Sequence, residues 1–243
     1  KRTVKLPKPA QRVVSLAPSN TEILFAVGAG KQVVGRDDLS DYPTEAKSVT
    51  SIGSTFKKLN TEAVVTLKPD LVLAANLTPA EQVKSLEDLG ITVYVLGNPK
   101  DFDGLYQNLI TVGQMTGHED EAKKLSESLK TRVKNVTDKI KNATAKPKVF
   151  YELDGSDPIK PWTSGPGTFI DTMITVSGGE NIGKGLKDQW AQMSSEEIVK
   201  QNPDIIVLGD SNYGITAEKV SARVGWQNIA AVKNKKIFPF NPD

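Results

Sequence analysis

Glu62 and Glu196 stand 134 positions apart, and so do Pro69 with Pro203 and Asp70 with Asp204. Each copy reads the same way: a short helix carries the glutamate, a proline halts it, and an apolar run follows. The runs are Asp70 to Ala75 (DLVLAA) and Asp204 to Leu208 (DIIVL). Proline lacks the N–H that would continue a helix and biases the residue before it toward extended backbone. Short runs rich in branched apolar side chains suit strands covered on both faces of a parallel sheet. A signature recurring at this distance predicts two similar folding units. A coincidence of two common helix-to-strand joins is the competing reading.

Alternation of strand and helix fills the rest of the chain. In the first half, Arg12 to Ala17 and Val33-Val34 read as strands. The spacing predicts helices over Thr21 to Val27, Asn60 to Leu67, Pro79 to Leu89 and Phe102 to Met115, with a further strand over Ile91 to Leu96. Ser19 or Asn20 is the expected cap of the first helix, and Gly90 and Gly117 the expected ends of the last two. Glu119 to Ile140 is the longest periodic segment: Ala122, Leu125, Leu129, Val133, Val136 and Ile140 step by three or four. Acids gather at its start and lysines near its end, as the helix dipole favours. A helix of that length spans about 33 Å. It suits a rod joining two domains, against the alternative of one long packing helix within a single domain.

In the second half, Val149 to Leu153, Asp204 to Leu208 and Lys235 to Pro239 read as strands. Thr168 to Val176, Ser194 to Gln201 and Ala217 to Val224 read as helices. Ser194 with Glu197 makes a capping box. Asp154 to Pro161 and the surroundings of Trp162 and Trp190 read as loop. The expected fold class is therefore α/β: two lobes with central, mostly parallel sheets joined by one long rigid helix, and a ligand cleft between the lobes. The boundaries expected are 1–117 for the first lobe, 118–143 for the connecting helix and 144–243 for the second.

Composition removes several chemistries. Cysteine is absent and His118 is the single histidine, which excludes disulfides, thiolate or His-rich metal sites and a cysteine nucleophile. The net charge is +2, and the lysine clusters at 57–58, 123–124 and 233–236 are short and scattered, so no nucleic-acid partner is expected. No apolar run is long enough to span a bilayer. The sequence opens at Lys1 without a signal-type apolar stretch, which a mature or trimmed form would share.

Catalytic patterns are weak. Gly28 to Lys31 lacks the spacing of a phosphate-binding loop and is read as a helix end and turn. There is no GxSxG elbow, and His118 is placed at a surface junction. Asp37, Asp38, Asp41, Asp154 and Asp157 lie in loops with no spacing that selects a pair, so a carboxylate-dependent hydrolase is the remote enzymatic reading. Ser164 to Thr168 (SGPGT) leads directly into a helix. Its backbone N–H groups either receive an anionic or amide-bearing ligand or simply form a tight turn. Phe56, Trp162 and Trp190 stand beside predicted loops and turns and are expected to face the cleft mouth, where flat apolar rings suit a bulky organic ligand. Peripheral core packing is the alternative for each, and Trp226 is read as packing.

RVVSLAPSNTEILFAVGAG (Arg12 to Gly30), SDYP (Ser40 to Pro43), LKPDLV (Leu67 to Val72) after Glu62, SGPGTFIDTMITVSGGENI (Ser164 to Ile182) and SSEEIVKQNPDIIV (Ser194 to Val207) together carry a resemblance. The chain resembles the substrate-binding proteins of ABC importers for vitamin B12, iron-siderophores and haem, the helical-backbone (cluster A, class III) binding proteins. The resemblance runs over almost the whole chain and is nearest to the B12-binding branch. It implies a non-enzymatic, monomeric carrier with no metal or cofactor of its own. The carrier would work outside the cytoplasm, in the periplasm or on the outer face of the cell membrane through an N-terminal lipid anchor absent from this chain.

Its partners would be a permease dimer with ATPase subunits, docked through Glu62 and Glu196, which otherwise read as ordinary helix-surface residues. The cargo would be a corrinoid, or alternatively a ferric siderophore or haem. Ligand contacts are expected from Phe56, Trp162, Trp190, Tyr42, Ser164 and Gly165, with Leu39 and Ala75 at positions where relatives carry aromatics. A siderophore would instead use Arg36, Tyr42, Tyr151, Tyr213 and Arg223, and haem an axial Tyr151 or Tyr213. Family members usually run past the last strand into a loop and a terminal helix, whereas this sequence stops at Asp243, either at the boundary of a fragment or by a real truncation of the second lobe.

Overall fold

The structure, a computed structural model, describes residues 4–55 and 59–241. The chain divides into two compact units, 1–130 and 131–243.

The first unit contains β1 (Val13–Ser15), α1 (Pro18–Ala26), β2 (Val33–Arg36), α2 (Thr61–Thr66), β3 (Leu71–Ala75), α3 (Ala80–Asp88), β4 (Val93–Leu96), α4 (Phe102–Thr116) and the start of α5 (Glu119–Ile140). Its four strands lie in the order β2-β1-β3-β4, all parallel. The strand period of two divides the side chains between two cores. Val13, Leu71 and Leu73 pack with Leu24, Leu109, Val112 and Ala122 on one face. Val14, Leu16, Val72 and Ala74 pack with Val64, Val83 and Leu86 on the other. This is why every residue of β3 is buried.

Neither Ser19 nor Asn20 caps α1. The helix starts at Pro18, whose missing N–H is harmless in the first turn, and the Asn20 side chain is buried with its amide donating to the Leu73 carbonyl at 3.0 Å. α4 ends as expected at Gly117, at φ 79°. α5 crosses from the first unit into the second, so the boundary falls inside this helix rather than at its ends.

The second unit adds β5 (Lys148–Asp154), β6 (Trp162–Ser164), α6 (Phe169–Val176), β7 (Glu180–Asn181), β8 (Trp190–Gln192), α7 (Ser195–Gln201), β9 (Ile205–Leu208), α8 (Ala217–Ser221), α9 (Ala230–Lys233) and β10 (Ile237–Pro239). The sheet order is β10-β9-β5-β6-β8, with β7 sharing an edge of β5. The β10, β9 and β5 strands are parallel, whereas β6 is antiparallel to both β5 and β8. Phe150, Ile206 and Leu208 face a core with Ile198, Val220, Trp226 and Ile229. Val149 and Tyr151 turn to the opposite face with Ile174, Ile205 and Val207.

The repeated signature is built from matching bonds. Asp70 accepts the N–H of Gln11 at 2.9 Å and of Arg12 at 3.0 Å, at the foot of β1. Asp204 accepts the N–H of Lys148 at 2.9 Å, at the foot of β5. Lys68 and Asn202, also 134 apart, end the two helices in left-handed backbone at φ 48° and 50°. The preceding carbonyls, of Leu67 and Gln201, are bonded by Arg12 Nη2 at 2.7 Å and Lys148 Nζ at 3.2 Å. The two helix-to-strand joins are thus one device used twice, not a coincidence of composition. Among the described residues, no helix is long and apolar enough to cross a membrane.

Candidate functional site

Trp162 and Trp190 lie on strands, which corrects the expectation that they stand in loops. Trp162 pairs with Gln192, and Ser164 with Trp190, across the β6–β8 ladder. Residues paired or two apart share a face, so both indoles leave the same side as diagonal neighbours, with Cα atoms roughly 7–8 Å apart. They remain 40 % and 46 % exposed. The strand is anchored from its other face: Thr163 is fully buried and donates to the Tyr151 carbonyl at 2.7 Å.

The SGPGT turn supports these strands, and two of its amides are already engaged. Gly165 N–H donates to the Gln189 carbonyl at 2.7 Å, and Gly167 N–H to Asp171 at 3.1 Å. Thr168 caps α6 by accepting the Asp171 N–H at 3.0 Å. Ser164 is fully buried with its hydroxyl beside Thr168, which leaves it no exposed surface in this structure. Gly165 is required because a Cβ there would lie 2.1 Å from the Asp188 carbonyl oxygen. Asn181 ties the GGENI segment to the same turn, donating to the Ser164 carbonyl at 3.0 Å. The glycine-rich motifs are scaffold for the indoles.

Acidic groups collect at the carboxyl ends of β5 and β9. Glu152 is fully buried and held by both terminal nitrogens of Arg223, with Nη2 to Oε1 at 2.8 Å. The guanidinium lies 4.6 Å from the Trp226 ring centroid. Asp210 is also buried and accepts the Gly155 N–H at 2.7 Å. Burial pushes the carboxyls of Glu152 and Asp210 above their usual range, opposed by Arg223 in the first case and by the Gly155 N–H in the second. Exposed Asp154 is held below it by bonds from Ser156. Asp210 was not singled out in the sequence. Its only signal is its position after the Gly209 that ends a buried strand.

In the first unit, Leu39 and Tyr42 are 57 % and 47 % exposed on the loop after β2. A buried polar chain fixes that loop: Thr21 Oγ1 lies 2.8 Å from both Ser15 Oγ and Ser40 Oγ, and Ser40 donates to buried Asp37. Burial raises the Asp37 carboxyl, against the hydrogen bond from Ser40. Ala75 is buried at the end of β3, which leaves it little surface for a ligand. Phe56 lies outside the described residues.

The siderophore set is not available as expected. Arg36 is engaged by the carbonyls of Ala46 and Asp37, both at 2.9 Å, and Arg223 by Glu152. Tyr151 is buried against Phe240, whereas Tyr42 and Tyr213 are exposed, at 47 % and 87 %. His118 Nε2 lies 2.9 Å from Gln32 Oε1, a packing role at the α4–α5 junction. Among the described residues there is no group of three or more His, Asp or Glu placed to hold a metal ion.

Glu62 and Glu196 are both exposed at the second position of their helices. Asn60 caps α2 by accepting the Ala63 N–H at 3.0 Å, and Ser194 caps α7 by accepting the Glu197 N–H at 3.2 Å. The two carboxylates therefore occupy equivalent places in the two units.

The model of the family described as "Periplasmic binding protein" matches residues 13–243. The chain is 37 % identical to the uncharacterised ABC transporter substrate-binding lipoprotein YvrC of Bacillus subtilis, over 99 % of this chain and 76 % of that protein. It is 34 % identical to a cobalamin-binding protein of Halobacterium salinarum, over 86 % of this chain and 56 % of that protein. A possible iron-binding (periplasmic solute-binding) protein from Staphylococcus epidermidis matches with a TM-score of 0.78 at 32 % identity, covering 96 % of this chain and 90 % of the other. The periplasmic vitamin B12-binding protein BtuF of Vibrio cholerae matches with a TM-score of 0.79 at 26 % identity, covering 96 % and 88 %.

Proposed function

This chain belongs to the periplasmic binding protein family of ABC transporters, and on that premise we propose that it captures a corrinoid outside the cytoplasm and delivers it to an ABC permease. The observation that carries the choice of cargo is the indole pair. Two large aromatic side chains that leave one side of the β6–β8 strand pair and stay 40 % and 46 % exposed suit a broad, flat, largely apolar macrocycle. Relatives named for cobalamin support the same reading.

The protein's role is binding and release. Glu62 and Glu196 serve as permease contacts: paired carboxylates at equivalent helix starts fix orientation on basic partners more than they add affinity. Haem is the second reading, favoured by the exposed phenol of Tyr213, which could ligate ferric iron. Calorimetric titration with cyanocobalamin and with haemin decides between them. One-to-one binding of cyanocobalamin is expected. Haemin binding without cyanocobalamin binding replaces the corrinoid with haem, and a Tyr213→Phe variant that loses the ferric-phenolate absorption then locates the ligand.

A further inference from the structure

Two stretches of the second unit are pinned to the start of α7. The loop 155–161 leaves β5 pressed against the Glu152–Arg223 ion pair: a Cβ on Gly155 would lie 2.3 Å from Glu152 Oε1 and 2.6 Å from Arg223 Nη2. Toward its far end, the Ile159 carbonyl accepts the Ser195 N–H at 2.8 Å and the Pro161 carbonyl the Met193 N–H at 3.0 Å. The turn 222–226 is held by the same groups. Arg223 bonds Glu152 and lies over the Trp226 ring, and the Trp226 indole N–H donates to Ser195 Oγ. Ser195 is therefore bonded to the loop through its N–H and to the turn through its hydroxyl, and it directly precedes Glu196.

These two fixed stretches display apolar side chains. Val224 is 96 % exposed, the most exposed large apolar side chain among the described residues, and Ile159 is 70 % exposed. Scattered singly, such residues need no explanation. Here both are carried on backbone tied to one residue, Ser195, beside the exposed Glu196. The next carboxylate, Glu197, lies 3.7 Å from Lys200, whereas Glu196 forms no ion pair among the described residues. Backbone that is fixed before contact loses little freedom on binding. Membership of an ABC transporter family supplies the partner.

Resting on the reading of Glu196 as a permease contact, we propose that Ile159 and Val224 are apolar anchors of the same docking surface, and that the permease face they meet offers a basic group for Glu196 with apolar side chains around it. Apolar contact beside the carboxylate excludes water from its ion pair and so strengthens it. The buried Glu152–Arg223 pair and the Trp226–Ser195 bond are the frame that presents the three side chains together.

The test places the photo-crosslinking residue p-benzoylphenylalanine in place of Ile159, Val224 or Glu196, one at a time, in the full chain in its host's cells. Val136, 41 % exposed on α5, is the control position. Products are identified by mass spectrometry. Capture of the permease's membrane-spanning subunit from all three sites, and not from Val136, is expected. Capture from Glu196 that fails at Ile159 or at Val224, or equal capture from Val136, overturns the apolar anchors and leaves the glutamate contact standing. If none of the three sites captures the permease, both readings fall together. A double variant, Ile159→Ser with Val224→Ser, is expected to slow cargo uptake about tenfold. Its affinity for whichever of cyanocobalamin and haemin the wild type binds is expected to stay within about twofold. Normal uptake overturns the proposal, and so does a lost cargo affinity, which would assign the two side chains to the ligand instead.

Discussion

Trp162 and Trp190 owe their orientation to neighbours that never reach the surface: Thr163 beneath one strand, Ser164 and Asn181 at the turn, and Gly165 against Asp188. Replacing either indole by alanine is expected to weaken corrinoid binding by about 1–3 kcal/mol with little change in melting temperature, measured by calorimetry and thermal scans. Gly165→Ala is different in kind. Its added carbon must displace a backbone oxygen, so it is expected to lower stability by about 1–3 kcal/mol and weaken binding as a consequence.

Asp210 gives a pH dependence with a definite sign. Burial raises its carboxyl above the ordinary value of 3.8, so the folded protein holds this proton to higher pH than the unfolded chain. The stabilisation is complete below the unfolded value and is lost as pH rises through the folded one. Asp210→Asn, neutral throughout, is expected to remove this loss and flatten the melting-temperature profile as pH rises above the ordinary carboxylate value. A curve parallel to wild type refutes this.

Among the elements, the meeting of α4 and α5 is the most exacting. A Cβ on Gly113 would lie 2.6 Å from that of Ala122 and 2.8 Å from the His118 carbonyl oxygen. Gly113→Ala is expected to destabilise the first unit by about 1–3 kcal/mol in denaturant titrations, despite the better helix propensity of alanine. The elements that were legible in the sequence are those whose periodicity outlasts their ends. The 22 residues of α5 fall where the apolar steps put them, and β3 and β9 announced themselves as apolar runs closed by proline on one side. The strands β6 and β8 were not legible. Three residues are too few to show alternation, and their pairing depends on partners in distant sequence. The same holds for Asp210, whose hydrogen-bond donor, Gly155, lies 55 positions upstream. The glutamates, by contrast, were visible because the repeat that carries them is local in each copy.

At the scale of the whole molecule, one join is used in both units, and each presents one exposed glutamate at the start of a capped helix. Exchanging both Glu62 and Glu196 for lysine is expected to leave cargo affinity within about twofold of wild type while abolishing uptake in a transporter-dependent growth assay. Uptake at the normal rate by the double variant refutes the docking role. The distribution of aromatic residues adds an optical consequence. All three tryptophans fall within 131–243 and none within 1–130. Intrinsic indole emission thus reports on the second unit alone, while far-ultraviolet dichroism sees the helices of both. A melt followed by the two signals at once becomes a unit-resolved thermometer, and any gap between the two transition midpoints measures how independently the halves of this chain come apart.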